Sequence, residues 1–385
     1  MENQQAARTN ARLEGSLGAP IVPLNAGVLR GLFVAVFTCL CLLSNGGYKI
    51  LGQEGKLVAR GEPEAQVGET LKQAERLNLI VRNILDFYFK PPAHREVVIV
   101  CDREKEELAG ALTAALKSRG HPAHTMLIGE DPESPASRLD DLFANDQVSL
   151  MVLASTRMWK DLRLAERLEF RDHWPSLRSQ CSPVFFDAVI PMANMLRVYS
   201  ADPMDTLRFL VSVQQQLAKY SRVRIVAPGG TNIEFVPRRW EIWGWEILTY
   251  PVENSVNGTI VADAGVFFSK VKAPLTLTIR EGKLVRVECP DPEDDVFKQY
   301  VHWMNEAHET DPLNWQIAEV GIGGSANARI SDILMETEAV RGTNHFCFGD
   351  NSVYGGEHKT SWHGGTVVVN NPRFESDAGT VLLQP

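Results

Sequence analysis

The chain has 385 residues, a formal net charge of −9 and a hydrophobic content of 44%. This hydrophobic content excludes a disordered protein. The acidic balance argues against nucleic acid as a partner, because nucleic-acid-binding proteins present basic surfaces. The length predicts two domains with an additional segment.

Six cysteines are scattered along the chain, and none forms a CxxC pair. This scatter is typical of free thiols in a reducing compartment rather than of a disulfide framework, so we expect a cytoplasmic protein. Cys347 is interpreted as a buried strand residue, with a reactive thiol as the alternative.

Residues 1–66 form an N-terminal extension that contains one apolar run, GLFVAVFTCLCLL, at residues 31–43. The run is shorter than the roughly 20 residues that span a bilayer, and the SNGG after it offers no convincing signal-peptide cleavage site. We favour an element packed against the rest of the protein. Membrane association and a signal peptide are the alternatives.

Residues 67–215 alternate strand patterns with helix patterns. EVVIVCD is a short apolar run typical of a buried parallel strand, and REKEELAGALTAALKSRG after it predicts an amphipathic helix that ends at Gly120. SLMVLAST predicts a further strand. The alternation predicts an α/β domain with a mostly parallel sheet.

Residues 216–385 are dominated by strand patterns. SRVRIVAPGGTNIEFVP predicts a hairpin around PGG, and LTLTIREGKLVRVEC predicts another around EG. PEDDVFKQYVHWMNEAHE interrupts these strands as a helix. We therefore predict a β-rich α+β domain after the α/β domain.

Two acids and two histidines lie near predicted strand ends of this second domain, most of them beside glycines: Glu246, Glu319, His345 and His363. Taken singly, each is an ordinary solvated acid or core histidine. Together they form a set of carboxylate and imidazole donors that suits zinc, manganese or ferrous iron.

The motifs around these residues follow one another in a recognisable order. WEILTYPVENSVNGT is followed by AEVGIGGSAN, then EAVRGTNHFCFG, then Tyr354 and HGG. Over residues 222–372 this order and spacing resemble the aminopeptidase T family of metallopeptidases, to which the 2,5-dihydroxypyridine ring-cleaving dioxygenases are distantly similar. The resemblance implies the aminopeptidase T-like fold.

Carried over by position, the resemblance implies four metal ligands: Glu246, Glu319, His345 and His363. It also makes Glu246 or Glu319 a catalytic base or bridging ligand, and Tyr354 a stabiliser of the oxyanion. Ser352 is the alternative to Tyr354, and Glu253 is the alternative to Glu246 if that side chain points away. Glu338 is expected to support the ligands.

The sequence departs from the family pattern at several positions. Gly365 stands in place of the aspartate of a His-x-Asp pair, on the face that a regular strand would share with His363. Trp245, Ala318 and Ala339 replace two glycines and a lysine. Three outcomes remain open: one metal on the remaining ligands, no catalytic metal, or a substitute ligand from Asp350, Glu357 or His358.

The function that we predict is a metal-dependent aminopeptidase-like hydrolase that acts on short peptides with zinc, cobalt or manganese. One alternative is a non-catalytic peptide-binding protein that assists a partner enzyme, for example in the maturation of a peptide natural product. Another is a non-haem Fe(II) ring-cleaving dioxygenase. The resemblance also implies a homodimer.

Overall fold

The computed structural model describes residues 73–93, 95–127, 148–153, 185–186, 190–266, 269–352, 355–360, 362–376 and 379–383. These residues all belong to one unit, Arg60–Pro385. The apolar run at residues 31–43 and the rest of the N-terminal extension lie outside the described residues.

The first part of the described chain is a layered α/β structure. Its strands are β1 (Glu96–Cys101), β2 (Ala123–Leu127), β3 (Val148–Leu153) and β4 (Phe185–Phe186), and every pairing in the order β2-β1-β3-β4 is parallel. Its helices are α1 (Gln73–Asn83), which continues as a π-helical turn at Ile84–Tyr88, α2 (Glu106–Ser118) and α3 (Met192–Val198). β1 is buried on both faces, which explains its continuous apolar sequence.

The core of this α/β part also takes side chains from later in the chain. Leu108 and Leu112 of α2 pack with Ile99 of β1, and Trp245 and Ala339 join the same cluster. Apolar burial of this kind is the main favourable term in folding. The α/β part and the β-rich part therefore share buried surface.

The β-rich part contains two antiparallel sheets. The seven-stranded sheet has the order β12-β11-β9-β6-β5-β16-β17, and its strands are β5 (Val223–Val226), β6 (Asn232–Phe235), β9 (Asn257–Ala262), β11 (Leu275–Arg280), β12 (Lys283–Glu288), β16 (Arg373–Ser376) and β17 (Val381–Leu383). The six-stranded sheet has the order β10-β15-β14-β13-β8-β7, and its strands are β7 (Glu241–Trp243), β8 (Glu246–Thr249), β10 (Gly265–Val266), β13 (Ile317–Gly323), β14 (Thr343–Gly349) and β15 (His363–Asn370). Helices α4 (Pro203–Leu217), α5 (Asp295–Thr310) and α6 (Leu334–Ala339) accompany these sheets.

One apolar core joins the two antiparallel sheets and determines which face of the six-stranded sheet is free for polar residues. Ile247, Val320, Phe346 and Val367 of the six-stranded sheet all lie in this core, with Met304 of α5. Side chains alternate along a strand. Their neighbours therefore point to the opposite face, and Glu246, Glu319 and His345 are among these neighbours.

Two β-bulges interrupt the six-stranded sheet on either side of Cys347. In β13, the pairing shifts between Ile317 and Glu319, opposite Phe348 and Cys347. In β15, Phe346 pairs with Val367 and Phe348 with Gly364, so two residues of β15 stand opposite Cys347. Bulges change the direction of side chains, and both of these lie beside the polar face.

The predicted combination of a parallel sheet with a β-rich α+β part is confirmed by these sheets. The boundaries expected near residues 66 and 215 stay predictions. Among the described residues, no helix is both long enough and apolar enough to cross a membrane.

Candidate metal centre

Glu319 lies at the centre of a buried polar cluster on the six-stranded sheet. Its Oε1 is 3.3 Å from Nε2 of His345, and its Oε2 is 3.6 Å from Nε2 of His363. Oε2 of Glu246 is 3.5 Å from the same nitrogen of His345. The four residues that the sequence singled out are therefore brought together in one small volume.

Both imidazoles are held by their surroundings, but in different ways. Nδ1 of His363 donates to the backbone carbonyl of Asp350 at 2.8 Å, since a carbonyl can only accept. This bond leaves Nε2 of the neutral ring with a free lone pair directed at Glu319, an arrangement common in metal-ligating histidines. The ring of His345 lies against Gly321 so closely that a Cβ there would collide with it. Among described residues, none bonds to Nδ1 of His345.

The cluster contains more acid than base. Glu338 of α6 is buried beside Glu246, Glu319 and His345. Burial raises the pKa of Glu246 well above its usual value, and the charges of Glu319 and Glu338 raise it further against the opposing effect of His345. Buried carboxyl groups of this kind need a cation or several donors. Three carboxyl groups around two imidazoles therefore favour a bound cation.

Cys347 also belongs to this cluster, although the family motifs did not include it among the expected ligands. Its Sγ is 3.2 Å from Oγ1 of Thr366 and 3.7 Å from Oε1 of Glu319. Glu319, Cys347 and His363 each offer one ligand atom, and these three atoms all lie within 4.8 Å of one another. Cys347 is buried, so its thiol faces polar groups in the interior.

Gly365 does not face the cluster, so the expectation that it shares a face with His363 is wrong. It has a φ of +62°, and a Cβ added there would lie 2.6 Å from Sδ of Met304 and 2.9 Å from Cη2 of Trp362. The reason is the bulge in β15: the extra residue turns Gly365 towards the apolar core and presents Thr366 to Cys347 instead.

The three proposed substitutes for the missing aspartate have different surroundings. The carboxylate of Asp350 accepts hydrogen bonds from Ser352 and from the backbone of Thr360, within its own loop. Glu357 is exposed. The buried His358 lies near Glu253 and Arg238, and its backbone N–H donates to Asn351. Tyr354 lies outside the described residues, and Ser352 bonds to Asp350.

Glu253, the alternative to Glu246, supports the neighbouring loop instead. It pairs with Arg238 and accepts from the side chain of Asn351 at 3.1 Å and from the backbone N–H of Glu357 at 2.8 Å. Burial raises the pKa of Glu253, but these bonds, first that from Arg238, outweigh it and lower the pKa to about 2. The carboxylate therefore stabilises the fold above its unfolded pKa of 4.5, and this stabilisation is lost as the pH falls through about 2.

Replacing Glu253 by Gln is expected to lower the free energy of unfolding by about 1–3 kcal/mol at pH 7, because the buried partners lose a charged acceptor. The difference from the unchanged protein should shrink as the pH is lowered towards 2. Urea denaturation at pH 7 and pH 3 measures it. Glu234, which forms an exposed ion pair with Arg222, provides the control. Glu234→Gln should change the free energy of unfolding by less than about 1 kcal/mol. Equal losses in the two variants would contradict the role given to Glu253.

Comparison with known proteins finds a family model and two solved structures that are similar to this chain. A family model described as NicX, 2,5-dihydroxypyridine 5,6-dioxygenase, matches residues 227–370. A comparison with curated protein sequences finds no match. The predicted resemblance therefore depends on the family model and on solved structures.

Two solved structures resemble the chain over most of its length. One is the 2,5-dihydroxypyridine dioxygenase from Pseudomonas putida KT2440, with 17% sequence identity, a TM-score of 0.58, and coverage of 82% of this chain and 97% of that chain. The other is wild-type AmpT from Thermus thermophilus, with 12% identity, a TM-score of 0.60, and coverage of 81% and 98%. At such identities the likeness shows a common fold. The aminopeptidase T-like fold is therefore confirmed, and the activity is a separate question.

Proposed function

We propose that the chain is a metal-dependent hydrolase that removes N-terminal residues from short peptides. The observation that carries this proposal is the buried excess of carboxyl groups around two imidazole Nε2 atoms, with Glu319 reaching both rings. Such a set of donors fits a divalent cation of the zinc, cobalt or manganese type. Residues Glu246, Glu319, His345 and His363 would hold it.

The cation would polarise the scissile carbonyl and lower the pKa of a water molecule. The side chains of His363 and Glu246 are 23% and 18% exposed, whereas that of His345 is 1% exposed. A substrate therefore reaches the cluster from the side of His363 and Glu246. Glu246 is then placed to accept the proton of the attacking water, since a general base must lie within hydrogen-bond reach of it.

Two further groups complete the proposal. Glu319 is more buried than Glu246 and lies close to Nε2 of both imidazoles, so it would hold the cation together with the two rings. Tyr354 would stabilise the oxyanion of the tetrahedral intermediate, as the family resemblance implies. The homodimer implied by the same resemblance stays a prediction.

The test uses the full-length protein loaded with zinc, cobalt or manganese, and it measures the release of N-terminal amino acids from di- and tripeptides. N-acetylated versions of the same peptides should not be cleaved. His345→Ala should lower kcat/KM by at least about 100-fold, because even residues that only support a metal ligand contribute 10- to 100-fold. Turnover no higher than in His345→Ala would exclude the hydrolase. Peptide binding without turnover would instead indicate a non-catalytic peptide-binding protein.

A second candidate function is favoured by the dioxygenase family model that matches residues 227–370. Two histidines and one carboxylate, here His345, His363 and Glu319, are the ligand set of many non-haem Fe(II) oxygenases. The additional acids Glu246 and Glu338 favour the hydrolase, because the iron oxygenase set contains one carboxylate. Anaerobic loading with ferrous iron, followed by oxygen uptake with 2,5-dihydroxypyridine or catechol, distinguishes the two functions.

A further inference from the structure

The polar cluster contains one donor that neither the sequence motifs nor the proposed ligand set uses. Sγ of Cys347 lies with Glu319 and His363 in the set of three ligand atoms that are mutually within 4.8 Å. The bulge in β15 has turned Gly365, the residue in place of an aspartate, away from the cluster and towards Met304 in the apolar core. On the side of the cluster next to β15, the thiol of Cys347 lies beside the hydroxyl of Thr366, which also forms a hydrogen bond with the carboxylate of Glu338.

We propose that the thiolate of Cys347 is a metal ligand in this chain, together with Glu319 and His363, and that it takes the place of the missing aspartate. This inference rests on the proposed function, because it concerns the same cation. It makes the centre a mixed carboxylate, imidazole and thiolate site. Sulfur is a softer donor than carboxylate oxygen, so the centre should prefer zinc or cobalt over manganese or magnesium.

The surroundings of Cys347 differ from those of an ordinary buried thiol. Cys101, in β1, packs within the apolar core of the α/β part. Cys347 instead contacts the hydroxyl of Thr366 and the carboxylate of Glu319. Free cysteines in apolar cores behave as small hydrophobic residues. The polar contacts of Cys347 are those expected of a sulfur directed into a donor cluster.

The two bulges explain how the sulfur reaches this position. One lies in β13 next to Glu319 and the other in β15 next to Thr366, and Cys347 of β14 stands between them. In His363, the hydrogen bond from Nδ1 to Asp350 leaves Nε2 directed into the same volume. When the sulfur–metal bond forms, the S–H bond breaks and its proton passes to the solvent, so metal binding releases one proton from this residue.

The first experiment is the absorption spectrum of the full-length protein loaded with Co(II). The unchanged protein should show an intense near-ultraviolet sulfur-to-cobalt charge-transfer band. The band should be lost in Cys347→Ser and Cys347→Ala and kept in Cys289→Ser, a half-buried thiol outside the cluster. The two Cys347 variants should also bind zinc more weakly by about 10-fold or more.

A second measurement needs no variant and therefore does not depend on whether the Cys347 variants fold. X-ray absorption of the zinc-loaded protein should contain one sulfur scatterer at about 2.3 Å. Cobalt or zinc binding without the band and without the sulfur scatterer would overturn the role of Cys347 and leave the proposed function standing. Failure of the unchanged protein to bind either metal would overturn both.

Discussion

The metal-free protein is expected to become less stable as the pH rises from about 5 to about 9, which is unusual for a protein with an acidic site. Burial raises the pKa of Glu338, and with the charge of Glu319 it brings the pKa to about 7 against the opposing effect of His345. Burial lowers the pKa of His345, but the hydrogen bond with Glu319 and the surrounding carboxylates outweigh it and raise the pKa to about 9.

The direction of the pH effect follows from these two pKa values. In the unfolded chain, Glu338 titrates near 4.5 and His345 near 6.5. Between those values and about 7 and 9, the folded state holds more protons than the unfolded state, so stability falls as the pH rises. One pKa unit corresponds to about 1.4 kcal/mol. Because the titrations of Glu338 and His345 influence each other, we expect the free energy of unfolding to fall by about 2–4 kcal/mol in total between pH 5 and pH 9.

Chemical denaturation of the metal-free protein between pH 5 and pH 9 measures this loss. Glu338→Gln should be more stable than the unchanged protein at pH 9 and nearly equal to it at pH 5, since it removes one buried charge. Glu309→Gln, at an exposed position of α5, should leave the pH profile unchanged. Saturating zinc should reverse the trend, because a cation that binds only the folded state neutralises the acids. If the free energy of unfolding of the metal-free protein rose from pH 5 to pH 9, the raised pKa values given to Glu338 and His345 would be wrong.

The architecture could be predicted from sequence because apolar patterns determine it directly. The run EVVIVC in β1 is buried on both faces and the strand was readable from its continuous apolar character. The alternating His-Phe-Cys-Phe of β14 predicts that His345 and Cys347 share one face, and both contact Glu319 in the structure. Family motifs then indicated which acids and histidines would converge. These features depend on local periodicity or on motif order.

The parts of the site that could not be predicted depend on breaks in that periodicity. A β-bulge has no fixed sequence signature, so HGGTVVV does not show that the alternation shifts by one residue and puts both His363 and Thr366 on the cluster face. The need for a glycine at Gly321 could not be predicted either, because it arises from the ring of His345 on the neighbouring strand. The glycine pair in β15 was the one available hint, since a positive φ such as that of Gly365 favours glycine.

Restoring the aspartate at Gly365 is expected to damage the protein rather than repair its site. The φ of +62° is unfavourable for any residue with a Cβ, and the Cβ would lie 2.6 Å from Sδ of Met304. The carboxylate would also point towards the apolar core. We expect Gly365→Asp to lower the free energy of unfolding by about 3–5 kcal/mol and to leave zinc affinity no higher than in the unchanged protein.

Three comparison variants separate the causes of this loss. Gly120→Asp meets a positive φ of +85° in open space, so it measures the backbone cost alone, about 1 kcal/mol. Gly365→Ala adds the collision with Met304 without a carboxylate. Thr366→Asp places the acid on the face that contacts Cys347, and it should increase the stabilisation that zinc provides. The opposite result would be a Gly365→Asp variant that folds normally and binds zinc more tightly. It would mean that β15 does not carry its bulge at this position. The proposal that the thiol of Cys347 replaces the missing acid would then lose its structural basis.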